Sequence, residues 1–143
     1  MNNNLIITIG REYGTGGREI GQKLALRLGV PFYDRELITR AAKKTGFDEK
    51  LFEQLDKRAT NSFLYSLTMF GSVGLNGMSL TDQLYLAQSN IIREMAEDSS
   101  CVIVGRCADH VLRDFPNKFD FFIHGSIEDR VKRVQTCGDY VIE

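Results

Sequence analysis

A glycine-rich turn near the start of the chain constrains the fold more than any other feature of the sequence. It follows the apolar run at residues 5–9 and contains three glycines within four residues, Gly14, Gly16 and Gly17. Apolar residues recur at helical spacing from residue 18 to 28, so the stretch predicts a buried strand, a tight turn and an amphipathic helix. Glycine permits torsions and close approaches that side chains would block. Such a turn directs its N–H groups and the positive end of the helix dipole at one point, which suits a phosphate. An ordinary strand-to-helix turn without a ligand is the alternative interpretation.

The turn is a degenerate match to the Walker pattern G-x-x-x-x-G-K-[ST]. Residues 14–16 (Gly-Thr-Gly) supply the G-x-G before the lysine, but Gly17 and Arg18 stand where the lysine and the Ser or Thr are expected. Arg11 also replaces the first glycine of the pattern. The missing lysine normally reaches the β- and γ-phosphates, and the missing hydroxyl normally holds Mg²⁺.

Two charged side chains at the start of the helix can supply part of what the loop lacks. Arg18 can restore the positive charge, and its guanidinium offers a bidentate fork to phosphate oxygens. Glu19 can contribute to a metal site, although a carboxylate in a first helical turn more often only stabilises the helix dipole.

A dinucleotide-binding loop is a competing interpretation of the same glycines. The pattern G-x-G-x-x-G fails because Glu19 stands at its last glycine. The pattern G-x-x-x-G-x-G does fit Gly10, Gly14 and Gly16, and it resembles the loop of short-chain dehydrogenases. Those enzymes also need a Tyr-x-x-x-Lys pair, and no lysine follows four residues after the tyrosines at positions 13, 33, 65 and 85. An NAD(P)-dependent reductase is therefore the less favoured alternative.

Composition indicates one globular domain and argues against several classes of protein. The chain has 143 residues, of which 43% are apolar and 26% charged, which is enough to bury a core. Its net charge of −1 gives no broad electrostatic surface for nucleic acid. Three cysteines without C-x-x-C spacing favour a reducing cytosol over a disulfide framework or a zinc site. The polar residues 1–4 and the short apolar run after them predict neither a signal peptide nor a membrane span. His110 and His124 have no third ligand, so we predict no resident metal site.

The order of elements along the chain predicts an α/β fold around a parallel sheet. Short apolar runs at residues 30–33, 101–104 and 119–124 read as further strands. Helices are predicted at 35–45, 48–58, 81–97, 108–113 and 127–136, and the glycine-containing stretch 60–78 as a mobile lobe or lid. Ser126 and Asp129 have the spacing of a capping box at the start of the last helix. Strand and helix alternate, as in parallel sheets, whose ligands bind beyond the carboxyl ends of the strands. Residues 10–18, Asp34 and residues 105–109 all fall at those ends.

Four blocks of sequence resemble the cytidylate kinase-like branch of the P-loop nucleoside monophosphate kinases. They are residues 7–21, 31–38, 101–109 and 127–134, in the family's order and across nearly the whole chain. The branch itself carries Gly-Arg in place of Lys-Ser/Thr, so the unusual loop supports membership. The resemblance implies a three-layer α/β/α P-loop kinase-like fold with a parallel sheet. It also implies a single domain over residues 1–143, in which residues 34–98 include a small helical acceptor-binding lobe. The family continues past the lid arginines into another strand and helix, so we expect that the C-terminal part is lacking.

The resemblance implies phosphoryl transfer from ATP, with Mg²⁺, to a nucleoside monophosphate such as CMP. Its partners would be nucleotide substrates, without nucleic acid or membrane, and the oligomeric state is left open. A non-catalytic nucleotide-binding or sensing module is the alternative, favoured by the missing lysine. The implied site residues fall into three groups: Arg11, Tyr13, Gly14, Thr15, Gly16, Gly17, Arg18 and Glu19 around ATP; Asp34, Arg40, Arg106 and Asp109 around the acceptor; and Arg18, Arg130 and Arg133 in catalysis.

Overall fold

The computed structural model describes residues 3–35, 37–38 and 80–137. In chain order these form β1 (Ile6–Arg11), α1 (Gly17–Leu28), β2 (Phe32–Tyr33), α2 (Leu80–Asp98), β3 (Cys101–Val104), α3 (Ala108–Val111), β4 (Lys118–Ile123) and α4 (Ile127–Thr136). The helices predicted at 35–45 and 48–58, and the stretch 60–78, lie wholly or almost wholly outside the described residues. None of the described helices is long and apolar enough to cross a membrane.

The four strands form one parallel sheet in the order β2-β3-β1-β4. The α/β class and the parallel sheet expected from the alternating elements are therefore confirmed. Strand β1 is longer than the apolar run predicts, because Gly10 pairs with Phe122 and Arg11 pairs with Ile123 of β4. Pairing with a long neighbour thus extends β1 beyond its hydrophobic segment. As a result Arg11 belongs to the strand rather than to the loop.

Both faces of the sheet are covered, as the three-layer prediction requires. On one face Ile7 and Ile9 pack with Val102, Val104 and the α1 residue Ala25. Successive side chains of a strand point to opposite faces of the sheet, so the residues between these positions face the other side. These residues are also buried, as are parts of α2 and α3: Ile6, Thr8, Cys101, Ile103, Ile92, Ala96 and Leu112. Connections between parallel strands are right-handed, and those from β1 to β2 and from β3 to β4 run in opposite directions across the sheet. They therefore lie on opposite faces, in agreement with the three layers.

Contact clustering divides the chain into two compact units, residues 1–35 with 92–143, and residues 36–91. The first unit contains the whole sheet, α1, α3, α4 and α2 from Ile92 onward. In the second unit, residues 37–38 and α2 up to Ile91 are described. The helical acceptor-binding lobe within residues 34–98 falls largely outside the described part and stays a prediction.

A polar contact joins β1 to its neighbour β4 in the sheet. Thr8 is 2% exposed, and its hydroxyl donates a hydrogen bond to the carboxylate of Asp120 on β4. Lys118 pairs with the same carboxylate and donates to the backbone carbonyl of Asp109 at 3.0 Å. Burial raises the pKa of Asp120, but the hydrogen bonds from Lys118 and Thr8 outweigh it and lower that pKa overall. The buried hydroxyl is thereby satisfied.

The three cysteines are free and occupy different environments. Cys101 is fully buried in β3, and burial raises its pKa to about 11. Cys107 is exposed in the turn after β3, where its backbone has a φ of +53°.

Helix α1 approaches the sheet closely at Gly21. A Cβ atom there would lie 2.7 Å from Cγ2 of Val104 and 3.0 Å from Cε2 of Phe32. Val104 is a buried, β-branched residue in a paired strand, so it has little freedom to move aside. The absence of a side chain at position 21 therefore sets the distance between α1 and β3.

We expect the substitution Gly21→Val to destabilise the fold by about 1–3 kcal/mol, because extra volume at a packed interface forces side chains off their rotamers. Urea unfolding followed by circular dichroism measures the free energy of unfolding. Gln22→Val places the same side chain on an exposed position of the same helix, and it should cost no more than about 0.5 kcal/mol. Equal losses in both variants would contradict the packing argument.

Candidate functional site

The loop between β1 and α1 has the backbone geometry that its glycines predict. Gly14 and Gly16 have φ angles of +82° and +78°, in the left-handed region that favours glycine. Thr15 closes the turn, because its N–H and its hydroxyl both donate to the carbonyl of Glu12, at 3.4 and 2.8 Å. Gly16 is the N-cap of α1, and no side chain caps that end of the helix. The N–H groups of the first turn thus keep the orientation that binds anions.

Arg18 links the start of α1 to the end of β2. Its Nε donates to Oδ2 of Asp34 at 2.8 Å. The carboxylate side chain is only 7% exposed, whereas the arginine side chain is 51% exposed. Asp34 directly follows β2. The ion pair therefore joins a residue predicted to bind the acceptor nucleotide to one predicted to bind ATP. The arginine keeps half of its surface open to a ligand.

Arg11 connects the loop with the turn that follows β3. Its stem lies against Gly17, where a Cβ atom would come within 2.7 Å of the arginine Cβ. Its guanidinium lies against Gly105, whose positive φ disfavours a side chain at that position. Gly105, Arg106 and Cys107 all have positive φ angles, of 79°, 57° and 53°. Left-handed geometry is unfavourable for non-glycine residues and clusters at functional sites.

The predicted acceptor residues are only partly brought together. Arg106 lies in the left-handed turn beside the Arg11 guanidinium, next to the loop. Asp109 has an exposed side chain on α3, and its carbonyl accepts a hydrogen bond from Lys118, the first residue of β4. Arg40 lies outside the described residues.

Helix α4 packs directly on the glycine loop and carries two arginines to it. A Cβ at Gly14 would lie 2.9 Å from the carbonyl oxygen of Arg130. A Cβ at Gly16 would lie 2.7 Å from Cζ and Nη2 of Arg133. Arg130 donates from Nε to the carbonyl of Tyr13 at 2.6 Å. The approach of the α4 backbone requires that position 14 has no side chain, because the carbonyl of Arg130 cannot move aside without moving the helix.

The start of α4 is fixed by Ser126, the N-cap residue that the sequence predicts. The N–H of Asp129 donates to Oγ of Ser126 at 3.2 Å, and the hydroxyl donates back to Oδ2 of Asp129 at 2.8 Å. Arg130 and Arg133 follow three residues apart, so they share one face of the helix.

A polar cleft of about 270 Å³ opens where α4 meets the loop. It lies at the carboxyl ends of β1 and β4, as expected for a ligand site in a parallel sheet. Its lining comes from the loop, from the residues between β4 and α4, and from α4: Gly14, Thr15, His124, Gly125, Asp129, Arg130 and Arg133. His124, interpreted from sequence as a structural residue, is among them.

Glu12 also belongs to this site, although sequence reasoning did not select it. Its Oε2 accepts a hydrogen bond from the N–H of Gly125 at 3.2 Å and lies 3.3 Å from Nη1 of Arg130. Only its position inside the loop could have indicated from the sequence that Glu12 belongs to the site. Its partner lies on a helix more than a hundred residues further along, which no periodicity indicates.

Glu19 is held between two cations. Oε1 accepts from Nζ of Lys23 at 2.6 Å, and Oε2 pairs with Nη2 of Arg133. The hydrogen bond from Lys23, and then that from Arg133, lower the pKa of Glu19. The described residues contain no cluster of three His, Cys, Asp or Glu side chains that could hold a metal by itself. Mg²⁺ is commonly bound by one or two carboxylates together with substrate phosphates, and Glu19 is the acidic residue in the first turn of α1.

Comparison with known proteins places the chain among kinase-like sequences. The sequence pattern of the cytidylate kinase-like family matches residues 6–139. No curated protein is significantly similar to the chain. A similar solved structure is the crystal structure of an uncharacterized protein from Eubacterium ventriosum ATCC 27560, with 29% sequence identity and a TM-score of 0.64. The match covers 96% of this chain and 63% of that one, so this chain spans less than two thirds of that protein's length.

The pKa of Glu19 gives a test of the contacts at the loop. We expect its carboxyl group to titrate below the ordinary glutamate value of about 4.3, and Lys23→Met and Arg133→Gln each to raise that pKa. Because the folded-state pKa is lowered, the contribution to stability is present above the unfolded-state pKa and is lost as the pH falls through the folded-state value. NMR titration of the side-chain carboxyl carbons measures this. A Glu19 pKa unaffected by either substitution would contradict the two contacts.

Proposed function

We propose that this chain, which belongs to the cytidylate kinase-like family, transfers the γ-phosphoryl group of ATP to a nucleoside monophosphate. The observation that chiefly supports the proposal is that Arg130 and Arg133 pack on a left-handed glycine turn, while Arg18 lies in the first turn of the uncapped helix that follows it. Phosphoryl transfer needs positioning and charge neutralisation more than covalent chemistry by the protein. A ring of guanidinium groups around a phosphate-binding turn provides both. CMP is the first acceptor to test, because the family takes its name from cytidylate kinase.

In this proposal the loop binds the triphosphate of MgATP. The N–H groups around Gly14, Gly16 and Gly17 donate to phosphate oxygens, and the α1 dipole favours their negative charge. Arg18 replaces the missing lysine. Its side chain is half exposed, and Asp34 holds its Nε. Arginine suits this role because its planar fork binds phosphate through two hydrogen bonds.

Arg130 and Arg133 of α4 act on the phosphoryl group as it is transferred. An oxygen of the acceptor phosphate attacks the γ-phosphorus, the bond from that phosphorus to the β,γ-bridging oxygen breaks, and ADP leaves. Charge spreads over the equatorial oxygens of the transferring group, where Arg130 and Arg133 would donate hydrogen bonds. Mg²⁺ enters with ATP as part of the substrate and neutralises charge on its β- and γ-oxygens.

The acceptor end is assigned on the resemblance. Asp34 and Arg106 follow β2 and β3 at the carboxyl ends of the strands, where the acceptor would lie beside the donor. Arg40 would grip the acceptor phosphate, and Asp109 would contribute to reading the nucleotide. These two roles come from the matching sequence blocks alone.

A non-catalytic nucleotide-binding module is the second candidate function. The specific observation in its favour is Gly17, which stands where the catalytic lysine is expected. Asp34 and Glu19 also already engage Arg18 and Arg133, so a phosphate must compete with carboxylates. The kinase-like family match gives no support to an NAD(P)-dependent reductase.

One experiment separates these possibilities. Phosphoryl transfer from ATP with Mg²⁺ is measured against CMP, UMP, dCMP, AMP and GMP in a coupled assay that detects ADP. Calorimetric titration with ATP, CMP and NADPH is run in parallel. Turnover of any monophosphate supports the kinase, whereas nucleotide binding without turnover supports the binding module. Binding of NADPH alone would refute both.

Arg18→Ala should weaken ATP binding by about 10–100-fold, the loss expected for a hydrogen bond to a charged group. Calorimetry with ATP and Mg²⁺ measures the dissociation constant. Arg27→Ala removes the same side chain from the exposed last turn of the same helix, and it should leave the affinity unchanged. Equal affinities of the wild type and Arg18→Ala would refute the role of Arg18.

Arg133→Ala should lower kcat by about 10³-fold or more, because one arginine at a transferring phosphoryl group can contribute that factor. Steady-state kinetics with the best acceptor measures the change. Lys132→Ala removes a neighbouring positive charge from an exposed position of α4 and serves as the matched control. A similar loss in the two variants would show that only the general charge of the helix matters.

A further inference from the structure

We propose that Glu12 is a positioning residue, which holds Arg130 and the glycine loop in one arrangement and thereby sets the rate of phosphoryl transfer. The inference rests on the proposed function, because it takes Arg130 to act on the transferring group. It assigns a role to a side chain that the sequence pattern does not single out.

Glu12 joins three elements through its backbone and its side chain. Its N–H donates to the carbonyl of Ile123, the last residue of β4, at 3.0 Å. Its carbonyl accepts both hydrogen bonds of Thr15 and so closes the glycine turn. Its carboxylate accepts from the N–H of Gly125 and contacts Arg130 through the same oxygen, Oε2. One residue thus connects the loop, the segment after β4 and α4.

Arg130 is fixed by two consecutive residues of the loop. Nη1 lies 3.3 Å from the Glu12 carboxylate, and Nε donates to the Tyr13 carbonyl at 2.6 Å. The arginine side chain is 25% exposed, so most of its length is packed. Two anchors on one rigid planar group define its orientation, whereas the carbonyl alone would leave the guanidinium free to turn about a single hydrogen bond. Arg130 lines the cleft with Gly14 and Thr15, where that orientation determines which donors point at a ligand.

The pair is placed to affect geometry more than folding. The Glu12 side chain is 37% exposed, and ion pairs at such positions contribute little to stability because water screens them. Positioning of a catalytic group is far more sensitive, since a misplacement of about 1 Å can cost about 10²-fold in rate. The Glu12 carboxylate also holds the N–H of Gly125, so its loss would loosen the segment that leads into α4.

Steady-state kinetics on four variants tests the role. Glu12→Ala should lower kcat by about 10–100-fold and change the KM for ATP by less than about threefold, since only the transition-state contact is lost. Glu12→Gln keeps an oxygen that can accept from Gly125 and Arg130, so it should retain most of the rate, and Glu12→Asp should be intermediate. Glu128→Gln neutralises an exposed carboxylate in the first turn of α4 and is the matched control. An unchanged kcat in Glu12→Ala would overturn the proposal. A higher kcat would also overturn it, because it would mean that Glu12 competes with phosphate for Arg130.

A double-mutant cycle distinguishes positioning from a merely structural effect. If Glu12 acts through Arg130, Glu12→Ala should cause no further loss of kcat in a chain that already carries Arg130→Ala. Additive losses would overturn the proposal.

A second measurement does not depend on turnover. The Nε–H signal of Arg130 in ¹⁵N NMR, assigned by its absence in Arg130→Lys, should be protected from exchange with water in the wild type. It should exchange faster in Glu12→Ala, and the amide of Gly125 should shift. A wild-type chain that transfers no phosphoryl group would refute the proposed function, while these signals would still decide whether Glu12 fixes Arg130. Unchanged signals in Glu12→Ala would overturn the proposal.

Discussion

The direct contact between α4 and the glycine turn is the constraint on which the rest of the site depends. Both Gly14 and Gly16 have left-handed torsions that favour glycine, and at Gly14 the backbone of Arg130 also occupies the space of a side chain. A loop without the lysine and the hydroxyl of the Walker pattern can still meet these requirements. The unusual sequence therefore preserves the shape of a phosphate-binding turn while the positive charge comes from other elements.

Ion pairs with carboxylates orient the arginines that supply the positive charge. Arg18 is held by Asp34, Arg130 by Glu12 and Arg133 by Glu19, so each guanidinium has a carboxylate that limits its orientation. Partly exposed pairs of this kind add little to stability. Their value lies in presenting planar donors in fixed directions, which a lysine on a flexible stem does less well.

Local patterns predicted the fold and the geometry of the glycine turn, whereas contacts between distant residues determine the features that the patterns missed. The apolar run before the glycines gave the first strand, the Ser126–Asp129 spacing gave the start of α4, and Arg18 stood at the helix mouth. The extension of β1 to Arg11 depends on its register with β4, which periodicity does not encode. The contact of Glu12 with Arg130 is equally non-local. The left-handed backbone of Arg106 and Cys107 follows from tertiary contacts, because neither residue type favours that geometry.

The different surroundings of Cys101 and Cys107 have a practical consequence. A thiol with a pKa of about 11 inside β3 is almost wholly protonated at neutral pH and shielded from reagents, so maleimides and iodoacetamides will not modify it in the folded chain. Cys107 is exposed and adjoins Arg106, in the turn that Arg11 ties to the glycine loop. A fluorophore attached there, after replacement of Cys137, would label the turn after β3 specifically without any change to the buried core.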